Sequence, residues 1–212
     1  EGIWEWADQI LVGKNYTRFA VNTLMRKLVM HAEDLQPMDG DRIICLKNNW
    51  NIANETGDAL VNGASGKIYN ITPGRRIYDP FTEKFFYADF VPDLNDSCVF
   101  PQVKMDECIF TAHRQSKNLI KPDRWLPMEI APEQFDFGYA ITCHKAQGSE
   151  FDSVVVFDES WAFGEEKNRW LYTAITRATR MVILVGRGDI IQTMVRNNRQ
   201  SMRYTGLRQR LE

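Results

Sequence analysis

Residues Gly138 to Gly148 read GYAITCHKAQG, and the fold of the chain turns on how that stretch is read. Phe137, Tyr139 and Ile141 form a short apolar and aromatic run that breaks at Thr142. Thr142, His144, Lys145 and Gln147 then arrive together, and Gly148 permits a sharp turn. This is the pattern of a strand ending in a polar loop. In open α/β sheets the carboxyl ends of the strands form the ligand crevice, where a hydroxyl, an imidazole, an amine and an amide suit phosphate oxygens and nucleotide edges. Nucleic acid is the ligand class those groups favour. Taken alone, His144 and Lys145 also fit two ordinary surface residues of a connecting loop.

A second stretch, Trp170 to Ala178, reads WLYTAITRA. Trp170, Leu171, Ala174, Ile175 and Ala178 recur at helical spacing and can bury one face. Arg177 falls almost at the end of that helix, Arg180 follows, and Met181 to Gly186 (MVILVG) has the continuous apolar character of a buried parallel strand. An arginine held on a packed helix presents a planar, permanently charged fork to a transferring phosphoryl group. The alternative is an arginine that only complements the helix dipole. Upstream, Leu11 to Lys27 (LVGKNYTRFAVNTLMRK) predicts a short strand and a polar turn. A helix follows, with Thr17 as its N-cap and Val21, Leu24, Met25 and Leu28 on its apolar face.

The joint order is a strand, the polar loop, a second apolar strand over Val154 to Phe157, the arginine-bearing helix and a further strand. In that order the chain resembles the second RecA-like motor domain of superfamily 1 DNA helicases, of the RecD and Dda group and the UvrD C-terminal type. GYAITCHKAQG is similar to motif V of that superfamily and WLYTAITRA to motif VI. Leu11 to Lys27 is similar to motif IV, with Asn22 and Arg26 fitting its helix. The resemblance implies an α/β fold of the P-loop NTPase type: a RecA-like parallel sheet with an inserted SH3-like β-barrel. It implies that Arg177 is the catalytic arginine finger on the γ-phosphate of ATP. On the ATP side it also implies Lys14, Asn15, Arg18, Gly148, Glu150, Tyr172 and Thr176, with Glu150 near the nucleotide sugar. Thr142, His144, Lys145 and Gln147 would hold single-stranded DNA, Gln147 and Gly148 coupling that grip to the nucleotide. Motif V departs from the family pattern at Ala146, where serine is common, which removes one hydroxyl contact.

The activity so implied is that of an ATP-dependent DNA helicase or translocase, similar to the RecD exonuclease subunit. ATP and Mg2+ would be bound mainly by an N-terminal RecA-like domain of the same polypeptide. The phosphate-gripping GxxxxGK[ST] does not occur in the 212 residues. Gly13-Lys14-Asn15 and Gly63 to Ile68 (GASGKI) lack its glycine spacing and the hydroxyl after lysine, and both read as turns. Val154 to Glu159 (VVVFDE) has the outline of a Walker B strand, yet in this order it reads as a core strand of the motor domain. The chain opens on Glu1-Gly2-Ile3, and Trp4, Trp6 and Ile10 read as part of an element already under way. The expectation is a piece of a longer polypeptide whose ATP-gripping motifs lie upstream.

Pro37 and Gly40 on one side and Pro127 and Pro132 on the other bracket a middle segment of different character. Short β-prone runs occur there at Ile43–Leu46, Lys67–Ile71, Phe85–Phe90 and Val103–Phe110. Turn signals separate them at Asn62-Gly63, Pro73-Gly74, Asp79-Pro80 and Pro92-Asp93, which predicts a small barrel. The division is therefore 1–36 with 133–200 as the motor domain, 37–132 as the SH3-like insertion and 201–212 as a tail. In the insertion Lys47 and Trp50, with Asn48, would contact bases, or Trp50 packs the barrel core. Arg196, Arg199, Arg203, Arg208 and Arg210 near the C-terminus either track phosphates or solvate a helix.

A hydrophobic content of 44% suffices for one large or two small cores. No apolar run approaches the roughly 18 residues of a membrane span and no signal pattern opens the chain, so no membrane partner and a cytoplasmic location are expected. Cys45, Cys98, Cys108 and Cys143 are irregularly spaced and indicate neither a zinc site nor a disulfide framework. The net charge of −2 argues against a uniformly basic coat but leaves room for a local basic groove. A non-enzymatic single-stranded nucleic-acid binding module, using the barrel and the arginine-rich tail, is the alternative function.

Overall fold

Four parallel strands carry the chain's first layer. β1 (Gln9–Val12) lies between β9 (Ala140–Thr142) and β10 (Phe151–Phe157), and β11 (Ala178–Val185) flanks β10. The computed structural model describes residues 2, 6–78, 81–93, 98–111 and 132–186. Leu11, Val12 and Val154 to Val156 are fully buried, as the central strands of a parallel sheet covered on both faces must be. Alternate residues serve opposite sides. Ile10, Val12 and Val155 share a core with Met25 of helix α1 (Asn15–Val29). Leu11, Val154 and Val156 share another with Trp170, Leu171 and Ala174 of helix α3 (Lys167–Ile175). The α/β class and the parallel sheet expected from the sequence are both present.

The second layer is antiparallel. β2 (Arg42–Cys45), β5 (Ser65–Tyr78), β6 (Phe81–Pro92), β7 (Phe100–Asp106) and β8 (Phe135–Phe137) form a sheet in the order β7-β6-β5-β2-β8. β3 (Asn49–Ala53) pairs separately with β4 (Ala59–Leu60). The Asp106 N–H donates to the Glu133 carbonyl at 3.0 Å and the Glu133 N–H to the Lys104 carbonyl at 2.7 Å. Glu133 lies two residues ahead of β8, so the two edges of the sheet are drawn toward each other. The sheet curls around Ile43, Ile68, Phe90, Met105, Phe110 and Phe135.

Several sequence expectations are corrected. Phe137, Tyr139 and Ile141 do not share one strand: the chain leaves the antiparallel sheet after Phe137 and joins the parallel one at Ala140. Gly138 makes the crossing possible, because a Cβ there would stand 2.8 Å from the Ile43 carbonyl carbon. Residues 135–137, expected with the parallel layer, pair instead with β2 of the antiparallel sheet. Val103–Phe110 is strand only as far as Asp106, and Glu107–Thr111 is the short helix α2. Pro73-Gly74 is no turn; both pair within the β5–β6 hairpin, where a side chain at Gly74 would run into the Phe85 ring. The buried face of α1 is Asn22, Met25 and Arg26, whereas Leu24 and Leu28 are exposed. Lys14, not Thr17, occupies the N-cap position of α1. β11 is parallel as expected, but Met181 is 51% exposed. The Asp79-Pro80 turn and the arginine-rich tail lie outside the described residues.

Candidate functional site

The GYAIT strand is paired with β1 and is held besides by buried side chains. Asn22 accepts the Ala140 N–H at 2.7 Å and donates to the Ala140 and Phe137 carbonyls at 3.1 and 3.0 Å. Gln9 Nε2 donates to the Gly138 and Tyr139 carbonyls, both at 3.1 Å. The Tyr139 hydroxyl donates to Asp41 Oδ1 at 2.9 Å, and burial, reinforced by the Asp41 charge, pushes its pKa above the usual phenol range. Asp41 in turn receives Arg26 through Nε and Nη2, each at 2.9 Å, and the Arg26 guanidinium lies 4.2 Å from the centre of the Phe137 ring. These bonds fix the backbone of the crossing immediately ahead of the next loop.

That loop turns sharply. The Thr142 carbonyl accepts the Lys145 and Ala146 N–H groups at 2.8 and 3.2 Å, and Gly148 sits at φ +90°, a conformation that favours glycine. His144 is exposed, its ring 5.7 Å from Phe163, which stacks on Trp170 at 5.2 Å. Gln147 is exposed too. Lys145 is half-buried, and its Nζ donates to Asn62 Oδ1 at 2.8 Å. Burial, chiefly, lowers the Lys145 pKa, with the nearby Arg18 acting the same way and Cys45 and Asp136 opposing. Arg18 is paired with Asp136 at 2.7 Å and donates through Nε to Asn15 Oδ1 at 3.2 Å. Burial pushes the neighbouring Cys143 thiol up to about 11, which leaves it unsuited to nucleophilic work at neutral pH.

Arg177 stands elsewhere. It follows α3 in the turn before β11; its Nε donates to the Thr173 carbonyl at 3.2 Å and its Nη1 to the Ser149 carbonyl at 3.0 Å. No described residue accepts from Nη2. The next residue, Ala178, pairs with Phe151 at the start of β10, whereas Thr142 is level with Val12 at the strands' carboxyl ends. The two positions are about 20 Å apart along the strands. The residues expected on ATP are therefore divided: Gly148, Glu150, Tyr172 and Thr176 lie toward Arg177, and Lys14, Asn15 and Arg18 lie with Thr142 and Lys145. Glu150, Tyr172 and Thr176 are exposed, the Thr176 hydroxyl donating to the Tyr172 and Thr173 carbonyls.

Two stretches that imitate nucleotide-binding motifs, Gly13-Lys14-Asn15 and Val154 to Glu159, meet one another. Glu159 Oε2 accepts the Gly13 and Lys14 N–H groups, both at 2.8 Å, and Oε1 accepts the Thr17 hydroxyl at 2.5 Å. A carboxylate thus sits beside the N-terminus of α1, where its negative charge complements the helix dipole. Lys14 Nζ sits 3.5 Å from the centre of the Trp161 ring. Both the loop amides and the lysine are committed within the chain. Among the described residues there is no group of three or more His, Cys, Asp and Glu that could hold a metal ion, and no helix long and apolar enough to cross a membrane. Lys47, just after β2, is exposed and Trp50 of β3 is 71% exposed, which rules out core packing for Trp50.

Glu159 and Asn62 were missed from the sequence as contacts of Lys14 and Lys145. VVVFDE and Asn62-Gly63 were noticed, but a carboxylate after a strand and an asparagine in a turn carry no sign of their distant partners.

A parallel sheet covered by helices on both faces, with a polar loop beyond β9 and a clamped arginine before β11, defines the class: an α/β protein. The particular likeness is more specific. Residues 137–185 match the UvrD-like helicase C-terminal domain. The chain is 40% identical over 73 residues to the RecBCD enzyme subunit RecD of Mycolicibacterium smegmatis, which covers 34% of this chain and 13% of that protein. It is 38% identical over 74 residues to the same subunit of Mycobacterium tuberculosis, covering 35% and 12%. The chain thus spans about an eighth of the length of these relatives. Over the matched residues it is similar to the C-terminal region of superfamily 1, RecD-like helicases. Among solved structures, Pif1 helicase from Candida albicans aligns over 89% of this chain and 48% of its own, with a TM-score of 0.46 and 15% identity. Pif1 helicase from Bacteroides in complex with ADP-AlF3 and ssDNA aligns over 89% and 45%, with a TM-score of 0.44 and 14% identity.

Proposed function

We propose that this chain is the C-terminal motor part of an ATP-dependent DNA helicase or translocase of the RecD-like kind, coupling ATP hydrolysis to movement along single-stranded DNA. In this reading the parallel layer is the second RecA-like domain and the curled antiparallel sheet is the SH3-like insertion. The observation that carries the reading is the Arg177 clamp. Its bonds to the Ser149 and Thr173 carbonyls aim the guanidinium and leave Nη2 uncommitted, as a residue meant for a phosphate requires. The bond to Ser149 also ties that group to the residue after Gly148, so a shift of Arg177 is felt by the loop that carries Thr142, His144, Lys145 and Gln147.

The nucleotide side consists of Arg177, Gly148, Glu150, Tyr172 and Thr176. ATP supplies phosphoryl transfer to water, with the phosphate grip and the Mg2+ ligands coming from an N-terminal RecA-like domain of the same polypeptide. Asn15 and Arg18 belong with Lys145 on the side of the DNA backbone, because Arg18 and Lys145 share the Asp136 field. Lys47 and Trp50 offer the strand a second contact, the indole as a stacking platform.

The test is DNA-stimulated ATP hydrolysis by a polypeptide joining this chain to its upstream GxxxxGK[ST] loop, native against Arg177→Ala. The expected loss in turnover is roughly a thousandfold or more. Equal hydrolysis in both forms overturns the motor reading. Retained DNA affinity without any hydrolysis would favour the non-enzymatic binding module, for which the exposed Trp50 is the supporting observation.

A further inference from the structure

Two stretches read independently as nucleic-acid contacts, Lys47–Trp50 in the insertion and Thr142–Gln147 in the parallel layer, are physically joined. The link is Asn62, which accepts the Lys145 ammonium through Oδ1 at 2.8 Å while its backbone N–H donates to Asn48 Oδ1 at 2.7 Å. Asn62 itself is not free to drift. The turn that holds it is closed by the Ala64 N–H on the Val61 carbonyl at 3.1 Å and has Gly63 at φ +92°. It is pinned to β2 by the Gly63 N–H on the Cys45 carbonyl at 2.9 Å and the Cys45 N–H on the Ala64 carbonyl at 2.8 Å. A flexible four-carbon side chain is thereby directed by a fixed amide.

We infer that Asn62 is a positioning residue for single-stranded nucleic acid: it holds the Lys145 ammonium toward a backbone phosphate and sets it in register with Asn48 and the exposed Trp50. The inference rests on the proposed role of Lys145 at the strand. An ammonium has several N–H donors, and no other described residue hydrogen-bonds to this one, so the Asn62 contact leaves protons for a phosphate. The neutral amide suits the task better than a carboxylate would, because it aims the cation without cancelling its charge. From Lys145 through Asn62 and Asn48 the path continues along β3 to Trp50, an order that alternates a phosphate contact with a stacking surface.

The experiment is a binding cycle on the 212-residue chain with a fluorescent oligothymidylate, titrated at several salt concentrations. The variants are Lys145→Met, Asn62→Ala, the double variant and Asn62→Asp. Lys145→Met is expected to weaken binding and to reduce the salt slope by about 0.7, one phosphate on a single strand. Asn62→Ala is expected to weaken binding about 3- to 10-fold in the native background and to have no further effect beside Lys145→Met. Asn62→Asp keeps the shape but places a negative charge at the phosphate, and is expected to bind more weakly than Asn62→Ala, most clearly at low salt. Circular dichroism of each variant separates these effects from loss of fold. If Lys145→Met matters while Asn62→Ala has no effect, or the two losses simply add, the positioning role is overturned and the Lys145 assignment stands. If Lys145→Met leaves affinity and salt slope unchanged, both are overturned.

Discussion

Asn22 and Ala140 are bonded in both directions, the amide accepting the Ala140 N–H at 2.7 Å and donating to its carbonyl at 3.1 Å. A helix side chain here bonds a strand residue in both directions, as a second neighbouring strand would, beside the pairing of Ala140 with Ile10 of β1. Asn22→Ala would take this partner from three buried backbone groups of the crossing, the Ala140 N–H and the Ala140 and Phe137 carbonyls. The expected loss is about 2–4 kcal/mol in urea unfolding. A change within a few tenths of a kcal/mol would mean that water replaces the amide.

Arg26 and Asp41 form a buried pair, with side chains 1% and 0% exposed. Replacing only the arginine leaves the buried Asp41 carboxylate without its ion-pair partner, and also removes the donors to the Asp34 and Gln36 carbonyls. Arg26→Met is expected to cost about 3–5 kcal/mol, and Arg26→Met with Asp41→Asn clearly less. Thermal melts of the four members of the cycle decide it; additive losses would show that the charges do not interact.

These two contacts also show where pattern reading stops. Val154 to Val156 were legible because a fully covered parallel strand must be apolar throughout. The α1 helix was found, but its inner face was misassigned, because periodicity places Leu24 and Leu28 inward and has no means of burying an asparagine and an arginine. Their partners, Ala140 and Asp41, are decided by tertiary approach. The same holds at Gly138: only the nearness of the Ile43 backbone reveals that one apolar run serves two sheets. Thr142, Lys145 and Arg177 stood out from local chemistry, whereas their division between opposite strand ends follows from register alone.

Glu159 and the α1 N-terminus yield a milder test. The carboxylate accepts the Gly13 and Lys14 N–H groups just ahead of the helix and the Thr17 hydroxyl in its first turn. Glu159→Ala should cost about 1 kcal/mol, and the difference from the native protein should shrink at high salt as the charge on the helix dipole is screened. A variant as stable as the native chain in low salt would show that water serves these donors equally well.

Lys145 offers a prediction in which stability and binding move in opposite directions. Its pKa is lowered, chiefly by burial, so in the window between that lowered value and the ordinary lysine value of about 10.4 the unfolded chain holds a proton that the folded chain has released. Lys145 therefore makes stability rise with pH across this window, since its buried charge disfavours the fold only while the proton is on. Phosphate binding needs that same proton, so affinity for an oligothymidylate should fall over the window, at lower pH than for an exposed lysine. Lys145→Arg keeps its charge throughout. Measured from about pH 7 to about pH 10, the native chain should lose affinity while Lys145→Arg holds a nearly flat profile. Parallel profiles for the two proteins would place the titrating group elsewhere and remove Lys145 from the phosphate contact.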